Sequence, residues 1–147
     1  EMKDTYREVG GNLVAVMDVP REQTGSYGVL DIRDDDGKLV DIRGLVEKPK
    51  PENAPSTLSI IGRYILQPAV FDRLATFETG AGGEIQLTDA MAKLIGKQPF
   101  HGLRYDGQRY DCGSRLGFIE ANIAYALQDP EIGDRVKEIV KNYATKG

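Results

Sequence analysis

The chain has 147 residues, about the size of one domain and enough to bury a sizeable hydrophobic core. Its 19 basic and 23 acidic residues give a net charge of −4, which argues against non-specific nucleic-acid binding because such binding requires a basic surface. No apolar run reaches the roughly 18 residues of a membrane span and no signal peptide opens the chain, so no membrane partner is expected. The single cysteine, Cys112, excludes an internal disulfide and favours a cytoplasmic location.

The first part of the chain predicts one helix and four strands. Charged, periodic residues at 1–11 predict the end of a helix that is closed by a glycine pair. A nearly all-apolar run at 12–19 predicts a strand covered on both faces. Alternating residues at 27–34 and 38–49 predict an antiparallel hairpin, and 58–66 predicts another buried strand.

Helices dominate the predicted elements of the second part. They are expected at 69–77 after Pro68, at 85–96, after an N-cap at Ser114, and from Asp129-Pro130 to about Tyr143, with a loop at 78–84 and a strand at 99–105. Together the elements predict an α/β fold with a mixed sheet flanked by helices. We expect residues 1–147 to form a single partial domain, because the first helix begins without an N-cap.

An acid and a base, Glu47 and Lys48, end a predicted strand directly before Pro49. Neighbouring side chains of a strand point to opposite faces, so both can face one pocket only if the strand ends or twists there. Pro49 is expected to end the strand and to restrict Lys48 to an extended conformation. Two interpretations stay open: an acid that binds hydroxyl groups beside a lysine that binds a phosphate, or a solvated charge pair of little energetic value.

Three further features are candidates for a site. Asp111 is expected at the end of a strand and just before a helix, where it could bind Mg²⁺ with substrate phosphates or could cap the helix. Tyr64 could stack on a sugar or could pack as a half-buried side chain. The glycine-rich stretch 79–84 lacks the Gly-Lys-Ser/Thr ending of a P-loop, so it predicts a flexible connection.

Five segments follow one another along the chain: GSYGVLDI, GLVEKPKPENAPS, IIGRYIL, GAGGEIQLTDA and RYDCGSRLGFIEANIAYAL. In order and spacing they resemble the C-terminal half of the bacterial UTP–glucose-1-phosphate uridylyltransferase (UDP-glucose pyrophosphorylase) family. VEKP is shared with many sugar nucleotidyltransferases, whereas GEIQLTDA with YDCGSRLG is typical of the uridylyltransferase branch. The resemblance covers nearly the whole chain and implies the C-terminal portion of a Rossmann-like nucleotide-diphospho-sugar transferase fold.

The resemblance implies roles for five residues. Lys48 would bind the sugar phosphate as the catalytic residue, Glu47 would bind glucose hydroxyl groups, and Gly28 would let the backbone approach the sugar. Tyr64 would border the sugar pocket, and Asp111 would be a metal-binding acid for magnesium (Mg²⁺). The family's loop for the UTP phosphates and its principal metal-binding aspartate do not appear in this sequence, so the chain is expected to be inactive alone.

The reaction implied for the intact enzyme forms UDP-glucose and pyrophosphate from UTP and glucose-1-phosphate. Two other functions stay open. One is a related nucleotidyltransferase that uses dTTP or another sugar phosphate, because base choice is made largely in the missing half. The other is a non-catalytic sugar-binding or oligomerisation module, because apolar residues recur along the last two helices; they either join subunits of a homo-oligomer or cover the chain's own sheet.

Overall fold

The computed structural model describes residues 1–76, 78–80 and 83–145, which form two compact units, Glu1–Tyr105 and Asp106–Gly147. The predicted helix end at Phe77 and the middle of the predicted loop 78–84 lie outside the described residues. A single domain over the whole chain stays a prediction.

The first unit contains five strands and three α-helices within its described residues. They are α1 Met2–Val9, β1 Asn12–Asp18, β2 Gly28–Asp35, β3 Leu39–Glu47, β4 Leu58–Ile65, α2 Ala69–Leu74, α3 Leu87–Ala92 and β5 Phe100–Arg104. All five predicted strands are therefore confirmed to within two residues at each end. The helix predicted at 85–96 is shorter than expected, because its last predicted turn is replaced by a tight turn at Gly96.

The strands pair in the order β1-β4-β2-β3-β5, and β5 pairs with β1, so the sheet closes on itself. β5 runs parallel to β1, and the other pairs are antiparallel. The mixed α/β prediction is confirmed. The closure was not predicted, because it depends on which distant strands meet at the two edges, and period-two patterns do not carry that information.

The core of the first unit joins residues of the closed sheet to residues of α2 and α3. β1 is buried from Asn12 to Val16, as its continuous apolar run predicts. Each fully buried Leu, Ile or Val contributes about 1.5–3 kcal/mol of transfer free energy. The core cluster consists of Val14, Val16, Leu30, Val40, Ile42, Leu45, Leu58, Ile60, Val70, Ala90, Met91, Leu94 and Phe100.

The polar side chain of Asn12 is fully buried at the start of β1. Its Nδ2 donates to Gln98 Oε1 at 3.1 Å and to the carbonyl of Pro99 at 3.2 Å, and its Oδ1 accepts from the Gln67 amide at 2.8 Å. Buried polar atoms are tolerated when they are hydrogen-bonded in this way. Asn12 thereby joins β1 to the segments that lead into α2 and β5.

The second unit contains two helices in its described part, α4 Arg115–Gln128 and α5 Gly133–Ala144. The predicted N-cap is confirmed: Ser114 Oγ accepts from the Gly117 amide at 3.0 Å. The Asp129 carboxylate accepts from the amides of the two residues that precede α5, Glu131 and Ile132. Nowhere in the described part of the chain does a helix combine the length and the apolar character needed to cross a lipid bilayer.

Candidate functional site

The candidate site lies at the open end of the β2–β3 hairpin. Gly28 begins β2 and Glu47 ends β3, and the antiparallel register sets them opposite each other. The next amide, that of Lys48, donates to the Tyr27 carbonyl at 2.9 Å. Glu47 and Lys48 are thus held at a strand end by backbone hydrogen bonds, which is where the sequence placed them.

The backbone of Lys48 is left-handed, with a φ of 46°. The expectation of an extended Lys48 before Pro49 is therefore wrong. Such a conformation costs a residue with a Cβ roughly 1–2 kcal/mol, and the bond to Tyr27 together with the buried ring of Pro49 holds it. Because Lys48 leaves the strand geometry, its Nζ comes within 3.8 Å of Glu47 Oε1 instead of pointing to the opposite face.

Glu47 and Lys48 differ in their exposure to solvent. The Glu47 side chain is 10% exposed, whereas the Lys48 side chain is 51% exposed. Among the described residues, only Lys48 pairs with this carboxylate, and no group hydrogen-bonds to it. A nearly enclosed carboxylate with unused acceptors is costly unless hydroxyl or amide donors reach it. The alternative of a charge pair that is simply solvated does not fit Glu47.

Gly28 is required by side chains packed above it. A Cβ at this position would lie 2.9 Å from Thr88 Oγ1 and 3.2 Å from Glu47 Oε2. Thr88, in the first turn of α3, is only 7% exposed. Protein atoms alone therefore explain the glycine, and the close approach of a sugar to Gly28 stays a prediction.

Thr88 was not among the residues predicted for the site. It lies 41 positions after Glu47 in the sequence, and only the packing of α3 against β3 brings it to the hairpin. Its place within GEIQLTDA was the one available signal, since that motif carried part of the resemblance.

Tyr64, on β4, also lies close enough to Glu47 to sense its charge. Burial raises the pKa of the Tyr64 hydroxyl, and the negative charge of Glu47 raises it further. The tyrosine is 38% exposed, so one part of the ring is packed and another faces solvent. The structure thus brings together Gly28, Glu47, Lys48 and Tyr64, and it adds Thr88.

Asp111 belongs to the second unit and lies in the turn before α4. The preceding strand, β5, already ends at Arg104, so the expectation that Asp111 ends a strand is wrong. Its Oδ1 accepts from the Gly113 amide at 3.1 Å, and its backbone carbonyl accepts from the Ser114 amide at 3.1 Å. Asp111 shapes the turn, while Ser114 caps the helix.

Metal-binding capacity is limited in the described part of the chain, where no group of three or more His, Cys, Asp or Glu side chains could hold an ion. Mg²⁺ is often held by one or two carboxylates, with substrate phosphates and waters as the remaining ligands. The exposed carboxylate of Asp111, with one oxygen bonded to Gly113, fits the role of a single protein ligand.

Residues 2–128 match the family model described as nucleotidyl transferase. The chain is 62% identical over 116 residues to a UTP–glucose-1-phosphate uridylyltransferase of Komagataeibacter xylinus, covering 79% of this chain and 41% of that protein. It is 44% identical over 141 residues to a protein of the same name from Staphylococcus epidermidis, covering 96% of this chain and 49% of the relative. The chain therefore spans about half the length, or less, of these two curated relatives.

Solved structures share the fold. A UDP-glucose pyrophosphorylase complexed with UDP-glucose gives a TM-score of 0.81 at 38% identity, over 87% of this chain and 49% of that one. The UTP-bound UGPase from Acinetobacter baumannii gives a TM-score of 0.82 at 33% identity, over 95% of this chain and 48% of that one. The mixed α/β fold described above is thus also found in UDP-glucose pyrophosphorylases.

Proposed function

This chain belongs to the nucleotidyl transferase family, and on that premise we propose that it supplies the sugar-phosphate site of a UTP–glucose-1-phosphate uridylyltransferase. The intact enzyme would form UDP-glucose and pyrophosphate from UTP and glucose-1-phosphate, and this chain would be its C-terminal portion. One observation carries the proposal: the enclosed Glu47 carboxylate lies 3.8 Å from the half-exposed Lys48 amine. Two unlike groups at one strand end suit a ligand with hydroxyl groups at one side and a phosphate at the other.

In this proposal Glu47 binds the hydroxyl groups of glucose. Its side chain is 10% exposed and no described residue hydrogen-bonds to its carboxylate, so sugar hydroxyls can donate to it with little competition from water. Tyr64 borders the same space and offers a partly exposed ring against which a sugar can pack. The absence of a side chain at Gly28 leaves room for both the Thr88 side chain and the Glu47 carboxylate.

Lys48 binds the phosphate and acts as the catalytic residue. A phosphate oxygen of glucose-1-phosphate attacks the α-phosphorus of UTP in line, a new P–O bond forms, and the bond to pyrophosphate breaks. The Lys48 ammonium stabilises the negative charge that develops on the phosphates, without proton transfer or a covalent enzyme intermediate. The left-handed backbone at Lys48 supports the assignment, because strained residues persist where the surrounding structure holds them and are concentrated at functional sites.

A magnesium ion completes the proposal, with Asp111 as one oxygen ligand. When bound, Mg²⁺ would supply positive charge for the phosphates in a protein whose own net charge is −4. Asp111 presents an exposed carboxylate whose turn is fixed by the hydrogen bond from Gly113, so it would lose little freedom on binding the ion.

The test is Lys48→Ala in the full-length enzyme, with Lys50→Ala as the matched control. Lys50 is an exposed lysine two residues away, on the other side of Pro49. We expect Lys48→Ala to lose roughly 2–4 kcal/mol of transition-state stabilisation, a decrease of about 30- to 1,000-fold in kcat/KM for UDP-glucose formation. Lys50→Ala should retain wild-type rates. Near wild-type turnover in Lys48→Ala would refute the role.

The alternatives require two further assays. Parallel measurements with UTP and dTTP on the full-length enzyme distinguish a uridylyltransferase from a thymidylyltransferase by the ratio of kcat/KM values. The 147-residue chain is expected to bind sugar phosphate without turnover. UDP-glucose formation by this chain alone would contradict the proposal that it supplies only the sugar-phosphate site. A chain without measurable sugar-phosphate binding would favour an oligomerisation module.

We also propose that the protein forms a homo-oligomer through its second unit and works in the cytoplasm. Several large apolar side chains of α4 and α5 are more than half exposed, namely Leu116, Phe118, Ile119, Tyr125, Ile139 and Tyr143. Exposed apolar side chains of this number are typical of surfaces that contact another protein, and we assign them to a second copy of this chain. Analytical ultracentrifugation tests the oligomer: the double variant Phe118→Ser, Ile119→Ser should sediment with a lower molar mass than the wild-type assembly. The cytoplasmic assignment is supported by the single cysteine.

A further inference from the structure

The first unit contains a cleft that lies remote from the Glu47 site along β3. Its volume is about 380 Å³. Asp41 lines it, and Asp41 precedes Glu47 by six residues on the same strand, which corresponds to about 20 Å at the usual rise per residue. The hairpin contributes Arg33, Asp41 and Ile42, and the segment that enters β5 contributes the turn at Gly96 and residues as far as His101.

The walls of this cleft are preorganised. Gly96 has a φ of 84°, and the amides of Lys97 and Gln98 both donate to the Leu94 carbonyl, at 3.0 and 3.1 Å. The Gln98 side chain accepts from Asn12, which is fully buried. The backbone that carries Lys97 is therefore tied to the core rather than free to move.

The opposite wall is set by strand pairing. Asp41 on β3 lies opposite His101 on β5 in the antiparallel register. Arg33 Nη1 donates to Asp41 Oδ2 at 3.3 Å, and the Arg33 side chain is 58% exposed. This contact uses one of the five donors of the guanidinium group, so the others remain available to a ligand.

The cleft is cationic in a protein that is acidic overall. Lys97 makes no ion pair, and the His101 ring makes no hydrogen bond, with any residue that the structure describes. Arg33 and Lys97 together outweigh the single lining carboxylate, Asp41, by one positive charge, while the whole chain carries −4. Arg33, Lys97 and His101 can therefore donate hydrogen bonds to a small anion in the cleft.

We propose that this cleft is a second anion site that binds the phosphate group of a small phosphorylated metabolite, separate from the Glu47–Lys48 site. Arg33 and Lys97 bind the phosphate oxygens, with His101 as a further donor from β5. The inference does not rest on the proposed transferase activity. Because β3 carries both Asp41 and Glu47, an anion bound in the cleft can also affect the Glu47 end of the hairpin.

Calorimetric titration of the protein tests the inference, with inorganic phosphate in one arm and glycerol 3-phosphate in the other. Lys97→Glu should weaken binding by about tenfold or more, since it removes a charged donor and adds a repelling carboxylate. Lys137→Glu makes the same charge change on exposed α5 and should bind as the wild type does. Asp41→Asn removes the carboxylate that lines the cleft and should tighten binding. The ligand that binds more tightly shows whether the cleft prefers free phosphate or a phosphate ester.

Three results would overturn the inference: no binding of either ligand at millimolar concentration, equal affinities of Lys97→Glu and Lys137→Glu, or weaker binding by Asp41→Asn. Loss of binding in Lys48→Ala but not in Lys97→Glu would also overturn it while leaving the proposed sugar-phosphate site intact. Because Lys97 is exposed, its substitution is not expected to disturb folding, and thermal melting of the variant checks this.

Discussion

Gly28 and Glu47 face each other across the β2–β3 ladder, so closely that a Cβ on residue 28 would lie 3.2 Å from Glu47 Oε2. It would also lie 2.9 Å from Thr88 Oγ1, which is nearly buried. The Glu47 carboxylate can therefore keep its position only while residue 28 has no side chain.

The first prediction is that Gly28→Ala displaces Thr88 and the Glu47 carboxylate. We expect a loss of about 1–3 kcal/mol in the free energy of unfolding, the usual cost of overpacking, together with weaker sugar-phosphate binding. Gly44→Ala is the matched control in the same hairpin, because its Cβ would meet Asp31 at an ordinary 3.4 Å. Urea denaturation and calorimetric titration measure the two effects. Equal behaviour of the two variants would contradict the packing explanation.

The second prediction separates the backbone of Lys48 from its amine. Lys48→Gly removes the Cβ that makes a φ of 46° costly, so the free energy of unfolding should rise by about 1 kcal/mol relative to Lys48→Ala. Both variants lose the amine, so both should lose sugar-phosphate binding. Chemical denaturation and titration of the two proteins provide the comparison, and a glycine variant less stable than the alanine variant would show that Lys48 is not strained.

The third prediction concerns acid stability at the far end of the hairpin. Arg104 donates to both carboxylate oxygens of Asp35, at 2.5 and 2.8 Å, and this pairing, with the Gly37 amide, lowers the pKa of Asp35 from 3.8 to about 2. Because the folded pKa is the lower one, Asp35 stabilises the fold above pH 3.8, and that contribution is lost as the pH falls toward 2.

The measurement is the urea midpoint of the wild type and of Asp35→Asn at pH 7 and at pH 2. The side chain of Asp35 is one-third exposed, so solvent screening limits the difference at pH 7 to about 1 kcal/mol. The gap between the two proteins should close at the lower pH. A gap that persists unchanged at pH 2 would mean that the difference does not come from the ionised Asp35 carboxylate.

The fourth prediction is that Asn12→Asp destabilises the first unit severely. The new carboxylate has the same shape but would face the oxygens of Gln98 and Pro99, to which Asn12 now donates. An unpaired buried charge typically costs at least about 3 kcal/mol. Asn53→Asp, the same change at an exposed position, should be nearly neutral, and circular dichroism melting of both variants checks the contrast. Similar melting temperatures would mean that the Asn12 network is dispensable.

Local sequence patterns predicted much of the secondary structure. Period-two alternation and apolar runs predicted the five strands. The N-cap at Ser114 was predicted because serine is preferred at that position of a helix. Glu47 and Lys48 were located at a strand end because Pro49 follows them. These features depend on neighbours within a few positions, and such neighbours are visible in the sequence.

Two differences from the sequence analysis, at Lys48 and at Thr88, originate in contacts between distant segments. The left-handed Lys48 depends on the Tyr27 carbonyl, 21 positions earlier, which overrides the usual preference of a residue before proline. Thr88 reaches Gly28 only through the packing of α3. Asp111 was expected at a strand end although the strand predicted at 99–105 stops well before it, and the structure places it in the turn before α4.

The amino-acid sequence alone determined where strands begin and end, which family the motifs resemble, and which acid and base stand together. Only the tertiary structure decided that the sheet closes through β5, that Glu47 is enclosed while Lys48 stays half exposed, and that a cationic cleft forms near Asp41. The physical reason is range: alternation, caps and prolines act through the local backbone, whereas enclosure and charge grouping arise where segments far apart in the chain pack against each other.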